Sequence, residues 1–133
     1  MTAAFLLDTD SVSFALRGEG KIGARLLEHV PSELCISAIT EAELRYGADR
    51  RKSSKLHRLI DKFTSGIEVV PFDTECAAWF GKVASRLIAK GKPIGDFDTM
   101  IAAHALACGL RLVTNNEKHF RQVEGLKLEN WMT

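Results

Sequence analysis

Long apolar runs are missing from this sequence of 133 residues. No apolar stretch reaches the ~18 residues that a membrane-spanning helix needs, and the amino terminus lacks the basic, apolar and small-residue segments of a secretory signal. Neither charge is in excess, since 18 Lys and Arg face 17 Asp and Glu. We therefore expect a cytoplasmic protein with no membrane partner. The charge balance neither requires nor excludes a polyanionic ligand.

Cysteine is also scarce. Cys35, Cys76 and Cys108 stand alone among apolar residues, and their number is odd. This pattern contains neither a disulfide framework nor a CxxC metal knuckle, so we predict three core thiols in a reducing compartment. A chain of this length fits a single domain, residues 1–133, whose core needs no crosslinks.

Strand-like and helix-like segments alternate along the chain. Apolar runs predict strands at 4–8, 34–36, 67–70 and 110–113. Helical spacing predicts one apolar face made of Ile22, Leu26, Leu27 and Val30, and a longer one made of Cys76, Trp79, Phe80, Val83, Leu87 and Ile88. The alternation predicts a three-layer α/β/α sandwich with a central parallel sheet.

Polar residues gather at four places in this pattern. They are Asp8 and Asp10 after the first strand, Glu43 in the helix that Ser37 is expected to cap, Asp96 and Asp98 after Gly95, and Thr114 with Asn116 after the last strand. Residues that follow parallel strands lie at the same sheet edge, so Asp8 and Thr114 should be neighbours. If Glu43 and Asp98 converge there, the clustered carboxylates need a divalent cation such as Mg²⁺ or Mn²⁺. Such a site suits hydrolysis of a phosphodiester.

Each of these polar groups also has a purely structural explanation. The alternatives are a helix cap at Asp8 or Asp10, a capping box at Thr40 and Glu43, first-turn acids at Asp96 and Asp98, and turn residues at Asn115 and Asn116. The four histidines, His29, His57, His104 and His119, show no ligand spacing and are predicted to be surface or packing residues.

Four segments together resemble the motifs of the PIN-domain ribonucleases and, within them, the VapC toxins of bacterial toxin–antitoxin pairs. The segments are 6–10 (LLDTD), 36–47 (ISAITEAELRYG), 93–105 (PIGDFDTMIAAHA) and 112–116 (LVTNN). The resemblance extends over nearly the whole chain, and the motifs are specific when they are taken jointly.

The resemblance implies Mg²⁺-dependent endonucleolytic cleavage of RNA that leaves a 5′-phosphate, with Mn²⁺ as a possible substitute. It makes Asp8 and Asp98 direct metal ligands, and Glu43 a ligand that acts through water. Asn116 stands where relatives often have an acid, and Asp10 where they usually have Asn. Thr114 is implied as a positioning hydroxyl, and Asp96 is the most variable of the candidate positions.

The resemblance also implies partners. Segment 94–104 and the Thr114-Asn115-Asn116 run look most like members that cut initiator tRNA in its anticodon loop. A VapB-type antitoxin is expected to offer an arginine to the acids, and a homodimer is expected to form around Leu59 and Phe63. The basic residues that are candidates for holding RNA are Arg17, Lys21, Arg50, Arg51, Lys52, Lys90 and Lys92, although solvated surface charge is the simpler role for each.

Two other functions compete with this one. The run Asp8 to Val12 fits the DxDx(T/V) opening of haloacid-dehalogenase-type phosphatases, in which the first Asp is a nucleophile. Gly95-Asp96-Phe97-Asp98 has the wrong spacing for the later element of that family, and Glu43 would have no role in it. A non-catalytic PIN module that only binds RNA or protein is the third possibility, and the three retained acids argue against it.

Overall fold

The computed structural model describes residues 3–133, and its centre is a five-stranded sheet in which every neighbouring pair is parallel. The strands are β1 (Phe5–Leu7), β2 (Leu34–Ser37), β3 (Glu68–Val70), β4 (Arg111–Val113) and β5 (Leu128–Glu129), in the order β3-β2-β1-β4-β5. The chain winds outward from β1 in one direction through β3 and then in the other through β5. The direction of winding therefore reverses between β1 and β4, which is where open α/β sheets form a crevice at the carboxyl ends of the strands.

Helices connect the strands. They are α1 (Thr9–Arg17), α2 (Ile22–Leu26), α3 (Ala38–Arg50), α4 (Ser54–Gly66), α5 (Thr74–Ala89), α6 (Asp96–Cys108) and α7 (Glu117–Phe120), with a 3₁₀ turn at Pro31–Glu33. Within residues 3–133, each helix is too short or too polar to reach across a lipid bilayer.

Alternate residues of each strand supply two separate cores. Leu6 and Leu112 face a core built with α5, α6 and α7, while Leu7 and Val113 face a core built with α1 to α4 and Trp131. This division follows from the two-residue period of strand side chains. The predicted three-layer sandwich with a central parallel sheet is thereby confirmed.

The apolar face predicted around Ile22 is wrong beyond the first turn. Helix α2 ends at Leu26, and the side chains of Leu27 and Val30 are 88% and 55% exposed. Pro31 starts the 3₁₀ turn before the helical pattern can continue, because the residue before a proline is held in an extended conformation.

Two further expectations need correction. Ile88 is 66% exposed although it follows the buried Leu87 in α5, because adjacent residues on a helix point about 100° apart. Cys108 is an exposed thiol at the end of α6, so only Cys35 and Cys76 are core thiols.

Candidate metal and active site

Asp8 lies where β1 ends, between the two halves of the sheet. Its backbone N–H donates to the Val113 carbonyl of β4 at 3.0 Å, which fixes it beside the neighbouring strand. Its Oδ1 accepts from the N–H of Ser11 at 2.8 Å, so Asp8 is the N-cap of α1. The carboxylate is thus held by the turn that converts strand into helix, and it is only 3% exposed.

Burial governs the ionisation of Asp8. Removal from water raises its pKa to about 6, although hydrogen bonds from Thr114 and Ser11 favour the charged form and act in the opposite direction. The Thr114 hydroxyl also accepts from the N–H of Asn116 at 2.9 Å, which fixes its orientation. An anion that is buried and poorly compensated in this way is stabilised by a cation.

Glu43 approaches the same edge from α3. Its Oε1 accepts from the Thr9 hydroxyl at 2.5 Å, and the Thr40 hydroxyl lies 3.2 Å from that of Thr9. Burial raises the pKa of Glu43, and the negative charges of Asp98 and Asp10 raise it further. Glu43 therefore lies within electrostatic reach of acids from two other segments.

Asp98 belongs to the first turn of α6, and its carboxylate lies beside the ring of His119. The Asp98 Oδ2 and His119 Nδ1 atoms are 3.3 Å apart, and Asn116 Nδ2 lies 2.8 Å from the same Nδ1. If Nδ1 donates to Asp98, the Asn116 amide must turn its oxygen toward it, because one nitrogen cannot donate and accept at once. Burial raises the pKa of Asp98, and His119 lowers it.

Asp10 is exposed on the first turn of α1, and its charge raises the pKa of Asp8, Glu43 and Asp98. It therefore links the three buried or half-buried acids into one electrostatic cluster, which we call the acidic cluster: Asp8, Asp10, Glu43 and Asp98. Asp96 is exposed at the start of α6, and it is not among the charges that shift the pKa of Asp8, Glu43 or Asp98.

The structural alternatives hold in part. Asp8 is a helix cap, Asp96 and Asp98 are first-turn acids, and Asn116 precedes α7. The capping box at Thr40 and Glu43 is wrong, because Ser37 caps α3 and Thr40 is buried within its first turn. Glu43 therefore does not cap α3, and its side chain binds Thr9 of α1 instead.

The acidic cluster is chemically suited to a hard cation, since it offers carboxylate oxygens together with the Asn116 amide. The ligand atoms of these acids do not all lie within 4.8 Å of one another. Among residues 3–133, a group of three His, Cys, Asp or Glu side chains that is this tight occurs at another place in the fold. The acids are therefore too far apart to enclose an ion by themselves. Mg²⁺ commonly keeps several waters of its own, so this spacing fits it.

Basic side chains flank the acidic cluster on two sides. One cavity of about 150 Å³ contains Glu43 together with Arg17 and Arg51. Another of about 410 Å³ contains Asn116 together with Lys92 and Lys118. Three of these four basic residues were candidates from the sequence. Lys52 and Lys21 are exposed, and the ammonium of Lys90 donates to the Gln122 carbonyl at 2.7 Å.

Sequence reasoning missed Thr9, His119 and Lys118. His119 was interpreted as a surface or packing residue, yet it contacts both Asp98 and Asn116. The available signal was its position three residues after Asn116, which is the spacing of neighbours on one helical face.

Comparison with known proteins places the chain in a family. The model of the PIN domain family matches residues 5–126. The tRNA(fMet)-specific endonuclease VapC of Salmonella typhimurium is 35% identical over 128 residues, which cover 96% of this chain and 97% of that protein. Ribonuclease VapC2 of Rickettsia felis is 35% identical over 130 residues, covering 96% of this chain and 97% of that protein.

Solved structures are similar over the same span. VapBC2 from Rickettsia felis, bound to a DNA fragment from its promoter, superposes with a TM-score of 0.88 at 34% identity and covers 96% of this chain and 98% of that chain. DNA-bound VapBC from Salmonella typhimurium superposes with a TM-score of 0.88 at 37% identity and covers 98% of this chain and 99% of that chain.

Proposed function

Since this chain belongs to the PIN-domain family and to its VapC ribonucleases, it is the ribonuclease toxin of a toxin–antitoxin pair, and we propose that it cuts RNA with Mg²⁺ at the acidic cluster. The observation that carries this proposal is that Asp10 acts electrostatically on Asp8, Glu43 and Asp98, which come from three separate segments, with Asp8 at the crevice between β1 and β4. The family assignment also argues against the phosphatase alternative, in which Glu43 has no role.

We assign the residues as follows. Asp8 and Asp98 would hold the cation, and Glu43 and Asn116 would support it from the other side of the site. Thr114 orients Asp8 through its hydrogen bond, Asp10 adds negative charge at the mouth, and Asp96 lies further out on α6 beside the incoming RNA. When bound, Mg²⁺ (or Mn²⁺) would lower the pKa of water and offset the charge on the phosphate.

Ionisation of Asp8 sets the condition for binding. With a pKa of about 6, the Asp8 carboxylate is charged in most molecules at neutral pH and would be available there to hold a cation. Thr9 holds Glu43 through the hydrogen bond between their side chains, and His119 holds Asp98. These neighbours fix two acids before RNA arrives, so little reorganisation is left for the reaction.

RNA must approach an acidic site that repels its phosphates, so basic side chains have to hold it. The two cavities that flank the acidic cluster supply them, with Arg17 and Arg51 on one side and Lys92 and Lys118 on the other. A strand laid from one cavity to the other crosses the acids with a phosphate above them. This arrangement fits a single-stranded loop better than the stiff interior of a duplex.

We propose initiator tRNA, cut in its anticodon loop, as the substrate. The relative from Salmonella typhimurium is named a tRNA(fMet)-specific endonuclease, and its similarity extends over 96% of this chain. We also propose that the protein acts in the cytoplasm, where this substrate is found.

A VapB-type antitoxin is the proposed inhibitor, since the solved relatives are VapBC complexes. An antitoxin arginine placed among Asp8, Asp98 and Glu43 would replace the cation and pair with the carboxylates. We further propose a homodimer and a hetero-oligomer with the antitoxin. Phe63 and Leu59 both belong to α4, where Phe63 packs against the core and Leu59 is half-buried, so the dimer contact would use only the outer parts of these side chains.

Cleavage of a total-tRNA pool by the purified protein tests the proposed function. The comparison is between Mg²⁺ and EDTA, and between the wild type and Asp8→Asn or Asp98→Asn, with cut ends located by sequencing. Asn keeps the side-chain size and the capping oxygen of Asp8 while it removes the charge. We expect one dominant cut in the anticodon loop of initiator tRNA, reduced at least about 100-fold in both variants.

Glu28→Gln is the matched control, because it removes one negative charge from an exposed residue that pairs only with Arg25, at 3.7 Å. Its cleavage rate should equal that of the wild type. Mg²⁺-dependent cuts in another RNA would retain the nuclease and reject the tRNA target. Measurable Mg²⁺ binding with no cut in any RNA would instead favour the non-catalytic module.

A further inference from the structure

Three potential soft-metal ligands meet where α5 begins and α6 ends. Cys76 lies in the first turn of α5, and His104 and Cys108 lie one turn apart on α6. The ligand atoms of the three side chains all lie within 4.8 Å of one another. Cys108 is ten residues along α6 from Asp98, about 15 Å at the helical rise per residue, so this group is separate from the acidic cluster.

His104 has an unpaired nitrogen inside the protein. Its side chain is fully buried, its Nδ1 lies 2.9 Å from the Ser37 hydroxyl, and its Nε2 finds no hydrogen-bond partner among residues 3–133. A buried polar atom without a partner lowers stability unless something binds it. Metal-binding histidines commonly use one ring nitrogen as the ligand and donate the other N–H to a fixed partner, and Ser37 is placed to accept it.

We propose that Cys76, His104 and Cys108 form a binding site for Zn²⁺. Two thiolates and one imidazole are a zinc-type ligand set, and thiolates select zinc over hard cations such as Mg²⁺. Zinc–sulfur bonds of about 2.3 Å and zinc–nitrogen bonds of about 2.0 Å require ligand atoms somewhat closer than 4.8 Å, which calls for shifts of about 1 Å. Cys108 is exposed, so the ion can enter from solvent and keep a water as its fourth ligand.

Nearby charge favours a cation at this position. The Asp73 carboxylate, which caps α5, acts electrostatically on all three side chains. A disulfide between Cys76 and Cys108 is the main alternative use of the two thiols. It would need an oxidant, and it would leave His104 Nε2 without a partner, whereas a cation satisfies all three groups.

The site would join two helices and support a third. A bound ion would fasten the start of α5 to the end of α6, and through the His104 to Ser37 hydrogen bond it would fix the N-cap of α3, which carries Glu43. The expected role is structural, with stabilisation that appears only when zinc is present.

Cobalt absorption tests the proposal, because Co²⁺ bound by thiolates shows intense sulfur-to-metal charge transfer and Co²⁺ bound by carboxylates does not. The reduced, metal-free protein should bind one equivalent of Co²⁺ with this band, and Zn²⁺ should abolish it. Cys108→Ser should lose the band. Because Cys108 is exposed, this substitution should leave the fold intact. Cys76→Ser should behave in the same way.

Two controls separate the site from the rest of the molecule. Cys35→Ala removes a buried thiol that is not one of the three ligands, and Asp8→Asn alters the acidic cluster, so both should keep the band. Zinc at roughly 100 times its Kd should raise the Tm of the wild type by about 5–10 °C and leave that of Cys108→Ser unchanged.

Three results would overturn the proposal. They are cobalt binding without charge transfer, charge transfer that survives in Cys108→Ser, and a thiol titration that finds only one free cysteine in protein purified without reductant. The last result would assign Cys76 and Cys108 to a disulfide. None of these measurements depends on nuclease activity, so the proposed function stands or falls separately.

Discussion

At the residue scale, Asp8 carries a conflict between stability and function. Its oxygen caps α1, which stabilises the fold, while its charge is buried at 3% exposure, which destabilises it. Asn can cap as well as Asp but carries no charge. The cost of the charge and the benefit of the cap can therefore be separated by substitution.

We expect Asp8→Asn to stabilise the metal-free protein at pH 7 by about 1–3 kcal/mol. The folded protein holds the Asp8 proton up to about pH 6, whereas the unfolded chain releases it near the ordinary value of 3.8. The unfolded state thus binds fewer protons between pH 4 and 6, and the free energy of unfolding falls as pH rises through that window. Urea melts in EDTA at pH 4 and pH 7 measure the effect, which should be small at pH 4.

Asp73→Asn is the matched control for this prediction. Asp73 also caps a helix, but the Cys76 N–H bound to it lowers its pKa, so its charge is favourable. Removing that charge should lower the free energy of unfolding at pH 7, whereas Asp8→Asn should raise it. If Asp8→Asn proved less stable than the wild type at pH 7 in EDTA, burial of the charge would not be the dominant effect.

His119 should set how readily Asp98 takes up a cation. Its contact lowers the pKa of Asp98 and orients the carboxylate. In His119→Ala we expect the Mg²⁺ concentration for half-maximal cleavage to rise by about tenfold, because Asp98 loses the contact that orients its carboxylate. A Mg²⁺ titration of the cleavage rate measures this. His57→Ala, which removes a histidine paired with Asp49 away from the acidic cluster, should leave the requirement unchanged, and an equal shift in both variants would contradict the prediction.

Residues differ in how well sequence alone predicts their surroundings. Asp8 follows an apolar strand, so its place at the sheet edge follows from the alternation of elements. His119 and the Cys76, His104 and Cys108 group were missed because their partners are distant in sequence, and only the packing of α5 on α6 brings the thiols together. Side-chain spacing within one helix cannot reveal contacts between two helices.

At the scale of elements, the start of α6 depends on the backbone of Gly95. Its φ of 93° and ψ of 155° lie in a region that essentially only glycine adopts, and an added Cβ meets no atom within 4 Å. The cost of a side chain there is therefore conformational and not steric. We expect Gly95→Ala to shift the first turn of α6 and displace Asp98.

Kinetics should show this displacement. Gly95→Ala should reduce the cleavage rate at saturating RNA by about tenfold or more, beyond its loss of about 1–3 kcal/mol in stability. Gly109→Ala, at the other end of α6 with φ of 67°, costs about 1 kcal/mol by the same mechanism and should leave the rate unchanged. A Gly95→Ala enzyme with the wild-type rate would show that the first turn keeps its position.

Some elements followed from local patterns and others did not. Ser37 and Asp73 cap α3 and α5 because a short polar side chain stands just before each helical pattern. Strand β5 was not predicted, since it has two residues and is defined only by its pairing with β4. Helix α3 continues past Gly47 to Arg50, because one glycine inside a helix costs only about 1 kcal/mol.

At the scale of the whole molecule, acidic and basic residues occupy different places on the surface although the net charge is nearly zero. Asp8 lies at the carboxyl end of β1, Asp10 acts electrostatically on it and on Glu43 and Asp98, and basic residues line the cavities that contain Glu43 and Asn116. The net charge of +1 therefore gives no sign of this local arrangement of acidic and basic residues, which is suited to RNA. Composition could not predict this arrangement, because it depends on which loops the sheet brings together.

Binding of RNA should accordingly depend on position and on salt. In the Asp8→Asn background, which prevents cleavage, Lys92→Glu and Arg51→Glu should each weaken tRNA binding several-fold and make the salt dependence of log K shallower by about one unit. Lys127→Glu is the control, since Lys127 precedes β5 at the opposite edge of the sheet, in a cavity with Ala4 and Arg111. Equal losses in all three variants would indicate non-specific attraction.

The winding of the sheet also affects the point during synthesis at which the protein can first cut RNA. Asp8 and Thr114 are separated by most of the chain, and the N–H of Thr114 donates to the Glu129 carbonyl of β5 at 2.9 Å. A chain that ends before β5 therefore carries all four acids of the acidic cluster but lacks this backbone contact. We expect arrested chains that end before residue 128 to leave tRNA intact and longer ones to cut it.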